Sequence, residues 1–205
     1  MGGPRYSVLP RNSISIYFGG YPYYYNDGFF YGRFGGYYEP LFPPIGIRIG
    51  VLPFGYTRVF IGLNPFYYYN GIFYRHNSDR EDYEVVDAPM GATVSSLPKG
   101  AKSVVLNGEK LYELNGTYFK EDRNYKGETV YIVVGKNGEV NNSGNVDDNA
   151  ITPPESLNPG DTINQLPDGS KVVTINGEKL FVTPDDTYLK EERDGDTVKY
   201  KVVGK

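Results

Sequence analysis

Residues 44–75 read PIGIRIGVLPFGYTRVFIGLNPFYYYNGIFYR and align without a gap on residues 89–120, which read PMGATVSSLPKGAKSVVLNGEKLYELNGTYFK. Both stretches carry a Leu-Pro pair, then a glycine, a run of apolar residues and an Asn-Gly pair. A third copy begins at Gly160 with one extra residue near Pro184, and a degenerate copy opens the chain. Self-similarity of this kind is typical of repeat proteins, so the sequence predicts four tandem units of one design.

Each copy contains a Leu-Pro corner. The corner reads Leu-Pro-Phe-Gly, Leu-Pro-Lys-Gly and Leu-Pro-Asp-Gly in three copies, and Leu-Pro-Arg-Asn in the first. Proline suits the first central position of a turn and glycine supplies a positive φ. Asparagine is the next residue to tolerate the left-handed region. We therefore predict a tight turn, with Asn12 in the left-handed region, and no phosphate-binding loop.

Alternating apolar residues follow each corner, and this pattern predicts a strand with one buried face. The pairs are Ile16/Phe18, Val59/Ile61, Val104/Leu106 and Val173/Ile175. The Asn-Gly pairs predict hairpins, and segments such as YEVV, YIVV and YKVV close the copies. Since no segment shows helical periodicity, we predict an all-β fold of tandem small antiparallel meander units. Each unit would have about five short strands, with an SH3-like arrangement as one form, and the chain would have no long helix.

The repeats also predict how the chain is organised. We expect a degenerate Tyr- and Gly-rich β unit at 3–43, β units at 44–88, 89–136 and 158–205, and a flexible linker at 137–157. The linker is rich in Asn, Asp, Gly and Pro, which favours a flexible segment. Units of this size are near the lower limit of independent stability, so neighbouring copies should share cores or pack in a row.

Composition excludes several functions. The 205 residues include no Cys, which excludes thiolate metal sites and Cys nucleophiles. Residues 1–80 carry seven Arg, no Lys and three acids (net +4), and residues 81–205 carry 14 basic and 22 acidic residues (net −8). This positive charge is too sparse for a nucleic-acid partner. No apolar run approaches the roughly 20 residues of a membrane span, and we expect no signal peptide in this chain.

The only histidine, His76, carries little evidence for catalysis. It follows a predicted strand and aligns with Glu121, which favours a solvated position. No sequence motif for nucleotide binding appears. We predict no catalytic residue, no metal site and no cofactor.

Aromatic residues at outward positions distinguish the first two units from the last two. Tyr17, Phe60 and Tyr68 occupy such positions, where the last two units have valine, threonine or glutamate. A buried ring contributes about 1.5–3 kcal/mol, so we expect this face to pack against something. Three interpretations stay open: packing between units, a partner or homo-oligomer surface, and a glycan platform. The candidate ligand-binding residues for the platform are Tyr17, Arg58, Phe60 and Tyr68.

The repeated pattern LPxGxxxVxxNGxxYxxxNGxYF, closed by YxVV, resembles a domain-of-unknown-function family of Tyr-rich bacterial envelope proteins. The matching residues include Leu52, Pro53, Gly55, Tyr67–Tyr69, Gly71, Phe73 and Tyr74. The resemblance covers residues 3–136 well and 158–205 more loosely. It implies a periplasmic or cell-surface location in a Gram-negative bacterium, and it implies no activity.

These observations together lead to a functional expectation. We expect a non-enzymatic repeat protein of the cell envelope with a structural or adaptor role and an envelope protein or glycan as partner. The alternative is a glycan- or peptidoglycan-binding module that uses the aromatic face of the first two units. The sequence does not define the oligomeric state.

Overall fold

The computed structural model describes residues 4–137, 157–195 and 197–205. These residues form nineteen strands in antiparallel sheets and contain no helix, so the predicted all-β fold class is confirmed. In the described ranges there is also no helix that could cross a membrane. The chain divides into two compact units, Met1–Pro98 (unit 1) and Lys99–Lys205 (unit 2). The predicted linker at 137–157 lies outside the described residues except for its two end residues.

The first sheet of unit 1 is a four-stranded meander whose spatial order equals the chain order. Its strands are β1 (Ile14–Phe18), β2 (Tyr21–Asn26), β3 (Phe29–Phe34) and β4 (Tyr37–Leu41). Two residues make each hairpin turn. Asp27 and Gly28, for example, have φ values of 40° and 89°, as expected for a tight turn that matches the twist of the flanking strands.

The second sheet of unit 1 has five strands in the order β5-β9-β8-β7-β6. They are β5 (Arg48–Ile49), β6 (Thr57–Ile61), β7 (Asn64–Tyr69), β8 (Ile72–Asn77) and β9 (Asp82–Val86), and β10 (Thr93–Val94) follows. Strands β6 to β9 form a meander like that of the first sheet, and β5 adds a short strand beside β9.

The Leu-Pro corners turn as predicted in three of the four copies. Asn12 has φ 64°, Gly55 φ 84° and Gly169 φ 79°, so the prediction for Asn12 is confirmed. In each of these corners the proline carbonyl accepts a hydrogen bond from the backbone amide three residues later, so the proline is the first residue of the turn and not its first central residue. Gly100 differs because its φ is not positive.

The two sheets of unit 1 share one core. Tyr25 and Phe30 enter it from the first sheet, and residues of the second sheet complete it: Ile47, Ile49, Ile72, Tyr74 and Val85. The two sheets contribute opposite faces to this core. Phe30 of the first sheet enters the core, whereas the aligned Phe73 of the second sheet points to the other side of its sheet, together with its cross-strand partner Tyr68. The two meanders therefore pack in sequence along the chain, as neighbouring repeats do in a stack.

One hydrogen bond recurs where each meander of unit 1 meets the segment that follows it. Tyr25 Oη donates to the Val51 carbonyl at 3.4 Å, and Tyr68 Oη donates to the Ser96 carbonyl at 2.9 Å. Val51 and Ser96 occupy aligned positions in the repeats. The rings also match, since Tyr25–Phe30 and Tyr68–Phe73 both have centroids 4.9 Å apart.

Two conservative substitutions should change stability in opposite directions. Within the described part of the chain, Tyr74 Oη is buried without a hydrogen-bond partner. We expect Tyr74→Phe to stabilise unit 1 by about 1 kcal/mol, because it removes an unsatisfied hydroxyl, and Tyr68→Phe to destabilise it by about 1 kcal/mol, because it leaves the Ser96 carbonyl unpaired. Urea unfolding measures both changes, and a loss of stability in Tyr74→Phe would contradict the assignment.

Unit 2 contains two further meanders and one short strand. The strands are β11 (Lys102–Leu106), β12 (Glu109–Leu114), β13 (Thr117–Arg123), β14 (Thr129–Asn137), β15 (Thr162–Ile163), β16 (Lys171–Ile175), β17 (Glu178–Val182), β18 (Tyr188–Asp194) and β19 (Thr197–Gly204). The first strand of each meander pairs with the last strand of the other: β11 with β19, and β16 with β14. The eight strands therefore form one sheet that closes on itself.

The interior of this closed sheet is built by both meanders. Its buried residues are Val104, Leu106, Leu111, Tyr118, Val173, Ile175, Leu180, Val182 and Tyr188. Tyr118 and Tyr188 occupy aligned positions and meet here, with hydroxyl oxygens 3.1 Å apart and ring centroids 6.0 Å apart. Each meander supplies half of a core that neither could form alone.

Two glycines allow the closed sheet to form. Gly204 pairs with Leu106 at one seam, and the aligned Gly135 pairs with Ile175 at the other. A β-bulge precedes each glycine at the same position of its meander. In unit 1 the aligned residue is Asp87, and β8 and β9 pair there without a bulge. A side chain at this position is incompatible with the close seam of unit 2, because an added Cβ at Gly135 or Gly204 would lie 2.5 or 2.4 Å from a backbone carbonyl oxygen.

Candidate functional site

A pair of perpendicular rings recurs in all four meanders. One ring lies on the second strand of the meander and the other on its last strand. The pairs are Tyr24–Tyr38 (5.1 Å), Tyr67–Tyr83 (5.3 Å), Tyr112–Tyr131 (5.4 Å) and Phe181–Tyr200 (5.4 Å) between centroids. Edge-to-face rings of this kind contribute about 0.5–1.5 kcal/mol beyond their burial. The pair is thus a structural feature of every meander.

A further exposed ring accompanies this pair only in unit 1. Tyr17 on β1 is 75% exposed, and the aligned Phe60 on β6 is 58% exposed. The aligned residues of unit 2 are Val105 and Thr174. The exposed ring is therefore a property of unit 1 rather than a requirement of the meander.

On the second sheet, Phe60 belongs to an aromatic strip, which we define as Tyr56, Arg58, Phe60, Tyr67, His76 and Tyr83. The Arg58 guanidinium lies 5.6 Å from the centroid of the Tyr67 ring, in cation–π contact. Tyr56 packs edge-on against the same ring at 5.6 Å, and His76 lies 5.0 Å from Tyr83. The strip thus combines flat rings with one guanidinium.

The structure brings together only two of the four predicted site residues. Arg58 and Phe60 point to one face of β6, opposite Tyr67 and Pro65 of β7. Tyr17 lies on the other sheet. The unit 1 surface therefore offers two aromatic areas, one on each sheet.

Of the three interpretations left open for the outward aromatic residues, packing inside the protein is the one that applies to Tyr68, so this candidate ligand-binding residue is not accessible to a ligand. Tyr68 is 5% exposed and its hydroxyl is used by the Ser96 carbonyl. Burial raises the pKa of Tyr68 to about 12. Its alignment with Glu113 and Val182 reflects a different neighbour in unit 2, and not an outward position in unit 1.

The titratable groups of the strip are His76, Arg58 and the phenols of its tyrosines. His76 is exposed and packs on a ring. Burial raises the pKa of the Tyr83 phenol, which therefore stays protonated near neutral pH. Across the described ranges, no group of three or more His, Cys, Asp or Glu side chains could hold a metal ion. Rings and a guanidinium of this kind suit contacts with apolar or planar groups of a partner.

The sequence did not lead us to assign four residues of the strip to a binding surface: Tyr56, Tyr67, His76 and Tyr83. Tyr83 had a signal, because a tyrosine opens the closing segment in three copies, at Tyr83, Tyr131 and Tyr200. Tyr56 had none, because its contact with Tyr67 depends on how β6 and β7 pair.

Comparison with known protein families identifies one family that matches the chain. A family of unknown function, DUF6515, matches residues 5–205. The chain belongs to the DUF6515 family. No curated protein and no solved structure matches the chain. For this DUF6515 member, a functional argument therefore rests on its own surfaces.

Proposed function

We propose that this protein is a non-enzymatic repeat protein of the bacterial cell envelope, periplasmic or surface-exposed, in which unit 1 binds a protein partner. The proposal rests on one observation. Of the 18 large apolar side chains exposed among the described residues, 16 lie in unit 1 and two in unit 2. Contiguous exposed apolar surface marks protein interaction sites, and the concentration of exposed apolar side chains in unit 1 favours such a site there.

The charged residues of unit 1 support a binding role. Its seven basic residues are all arginines and are balanced by seven acids, whereas unit 2 carries twelve lysines. Arginine and tyrosine are enriched in protein interfaces and lysine is depleted. Arginine also packs on rings, as Arg58 does on Tyr67. Unit 1 thus has the composition of an interface, and unit 2 that of a solvated surface.

Ion pairs recur at aligned positions on the surface of unit 2. Lys120 pairs with Glu109 and, at the aligned positions, Lys190 pairs with Glu178, both at 2.5 Å. Such exposed pairs add little stability, and they place charged side chains on this surface. Unit 2 is accordingly suited to a supporting role in an adaptor.

The envelope location is supported by the resemblance of the repeated motif to Tyr-rich envelope proteins. Fractionation of cells that express the gene from its own locus tests it. We expect the protein in the periplasmic or outer-surface fraction, and recovery with the cytoplasm would contradict the proposal.

Photo-cross-linking tests the adaptor role. With p-benzoylphenylalanine in place of Phe60 or Tyr17, we expect discrete cross-linked products of the same mass in replicate cultures of the source bacterium, because both rings would lie in the interface. Val105 aligns with Phe60 but lies in unit 2, and Tyr125 is the most exposed ring of that unit, so both positions serve as matched controls. The same products from the control positions would contradict the proposal.

The second candidate is binding of glycan or peptidoglycan by the aromatic surfaces. It is favoured by the exposed Phe60 beside the Arg58–Tyr67 contact, since flat rings and a guanidinium suit sugar faces and hydroxyls. Co-sedimentation with purified peptidoglycan tests it. We expect Phe60→Ala to reduce the bound fraction several-fold if this candidate holds, and equal sedimentation of both proteins would contradict it.

A further inference from the structure

A cavity of about 240 Å³ opens at one end of the closed sheet of unit 2. Its lining comes from the first residues of β11, β13, β16 and β18 and from the ends of β12, β14 and β17. Both meanders therefore contribute to it, and it exists only because the sheet closes. Pockets for drug-sized ligands span about 300–1,000 Å³, so this cavity suits a smaller molecule.

Two phenols form the floor. Tyr118 and Tyr188 are each 2% exposed, and Tyr188 Oη donates to Tyr118 Oη. The hydroxyl hydrogen of Tyr118 is not used in this bond and remains for a group in the cavity. Burial raises the pKa of both phenols, so both are neutral donors near neutral pH.

The wall and rim carry charges of both signs. Glu113 and Asp186 line the cavity together with the two phenols, and their negative charge adds to the raised pKa of both. Asp186 pairs with Lys102 at 3.8 Å, and Glu113 Oε1 accepts the Gly116 amide. Lys171 also lines the cavity and forms no ion pair with any described residue.

The two meanders differ at this point. Lys102 and Lys171 occupy aligned positions, but Lys102 lies across the strands from Glu113, whereas Lys171 lies across from Val182. The cavity therefore has one ion pair, Lys102–Asp186, whereas Lys171 and Glu113 form no ion pair with any described residue. A ligand that completes the arrangement needs a negative group for Lys171 and a positive group for Glu113.

We propose that this cavity binds a small zwitterionic peptide of dipeptide size. Its carboxylate pairs with Lys171, its ammonium group pairs with Glu113, and its peptide carbonyl accepts the free hydrogen of Tyr118. The proposal is independent of the partner surface of unit 1, because every lining residue belongs to unit 2.

Three related probes test the charge requirement with the full chain. Glycylglycine carries both charges, N-acetylglycylglycine lacks the ammonium, and glycylglycinamide lacks the carboxylate. By isothermal titration we expect one site for glycylglycine and a Kd at least ~10-fold weaker for each capped probe, which corresponds to about 1.4 kcal/mol. Absence of saturable glycylglycine binding, or equal binding of a capped probe, would overturn the proposal.

Two variants assign the charges to residues. In Lys171→Gln, glycylglycine and glycylglycinamide should bind equally, because the carboxylate has lost its partner. In Glu113→Gln, whose amide oxygen can still accept the Gly116 N–H, glycylglycine and N-acetylglycylglycine should bind equally. Lys126→Gln, a change at the exposed β13–β14 turn, is the control and should bind all three probes as the parent does. Full discrimination retained in Lys171→Gln would overturn the assignment.

Discussion

Gly135→Ala should open one seam of the closed sheet in unit 2, and Gly204→Ala should open the other. A Cβ at position 135 would lie 2.5 Å from the Thr174 carbonyl oxygen, and one at 204 would lie 2.4 Å from the Val105 carbonyl oxygen. Because the obstacle is backbone in both cases, the strands must separate. Overpacking of this kind costs about 1–3 kcal/mol per site, and we expect the upper end here.

The double variant should lose an amount of stability that is comparable to the whole free energy of unfolding of a typical domain. Since the two seams are separate contacts, we expect the losses to add to about 4–6 kcal/mol, against the 5–15 kcal/mol of a typical domain. Urea unfolding measures the loss. Amide exchange locates it, because the Asn107 amide donates to the Val203 carbonyl and the Asn176 amide to the Val134 carbonyl, both at 2.8 Å.

Gly100→Ala provides the matched control for the seam variants. Position 100 is in the same unit, its φ is not positive, and an added Cβ would only touch a Leu114 methyl group at 3.9 Å. We expect a change within about 0.5 kcal/mol. Parent-like stability and amide protection in Gly135→Ala would show that the seam does not need glycine.

Unit 1 should unfold cooperatively in alkaline solution, at a pH more than about one unit above the ordinary tyrosine pKa of about 10. Burial raises the pKa of Tyr25 and Tyr68 to about 12 and that of Tyr74 still further. The unfolded chain releases these protons near pH 10, whereas the folded chain retains them. The stabilisation is therefore complete below pH 10 and falls as the pH rises towards the folded-state pKa values.

The expected slope follows from Tyr25, Tyr68 and Tyr74, the three phenols of unit 1 whose pKa is raised furthest. Each costs about 1.4 kcal/mol per pH unit, so the three together cost about 4 kcal/mol per unit above pH 10. Phenolate absorbance and circular dichroism, recorded on one sample, should change together. Tyr74→Phe should shift the transition to higher pH. Release of all tyrosine protons near pH 10 with the circular dichroism unchanged would contradict the expectation.

Sequence pattern was sufficient for the strands and turns because both depend on local chemistry. Alternating residues such as Val104 and Leu106 form strands with one buried face. Asn12 takes the left-handed conformation that its alignment with glycines indicates. A repeated local pattern therefore predicts the meander well.

How the meanders join could not be predicted, because it depends on contacts between distant segments. The closing segments YEVVD and YIVVG differ by one decisive residue, Asp87 against Gly135. The effect of a side chain at this position on sheet closure appears only when the carbonyl of another strand lies close to it. The same limit explains Tyr68, whose burial depends on the segment around Ser96, and the unit 2 cavity, which requires closure of the sheet.

The reciprocal seams of unit 2 have a consequence for how chains of this type can lengthen. Consider one extra meander with a glycine at the position of Gly135. Its first and last strands would have no partner strands, so it would leave two unpaired rows of backbone amides and carbonyls. Such bare edges promote aggregation. Addition of two such meanders together avoids unpaired edges, whereas meanders with a side chain at this position, as at Asp87, can be added one at a time.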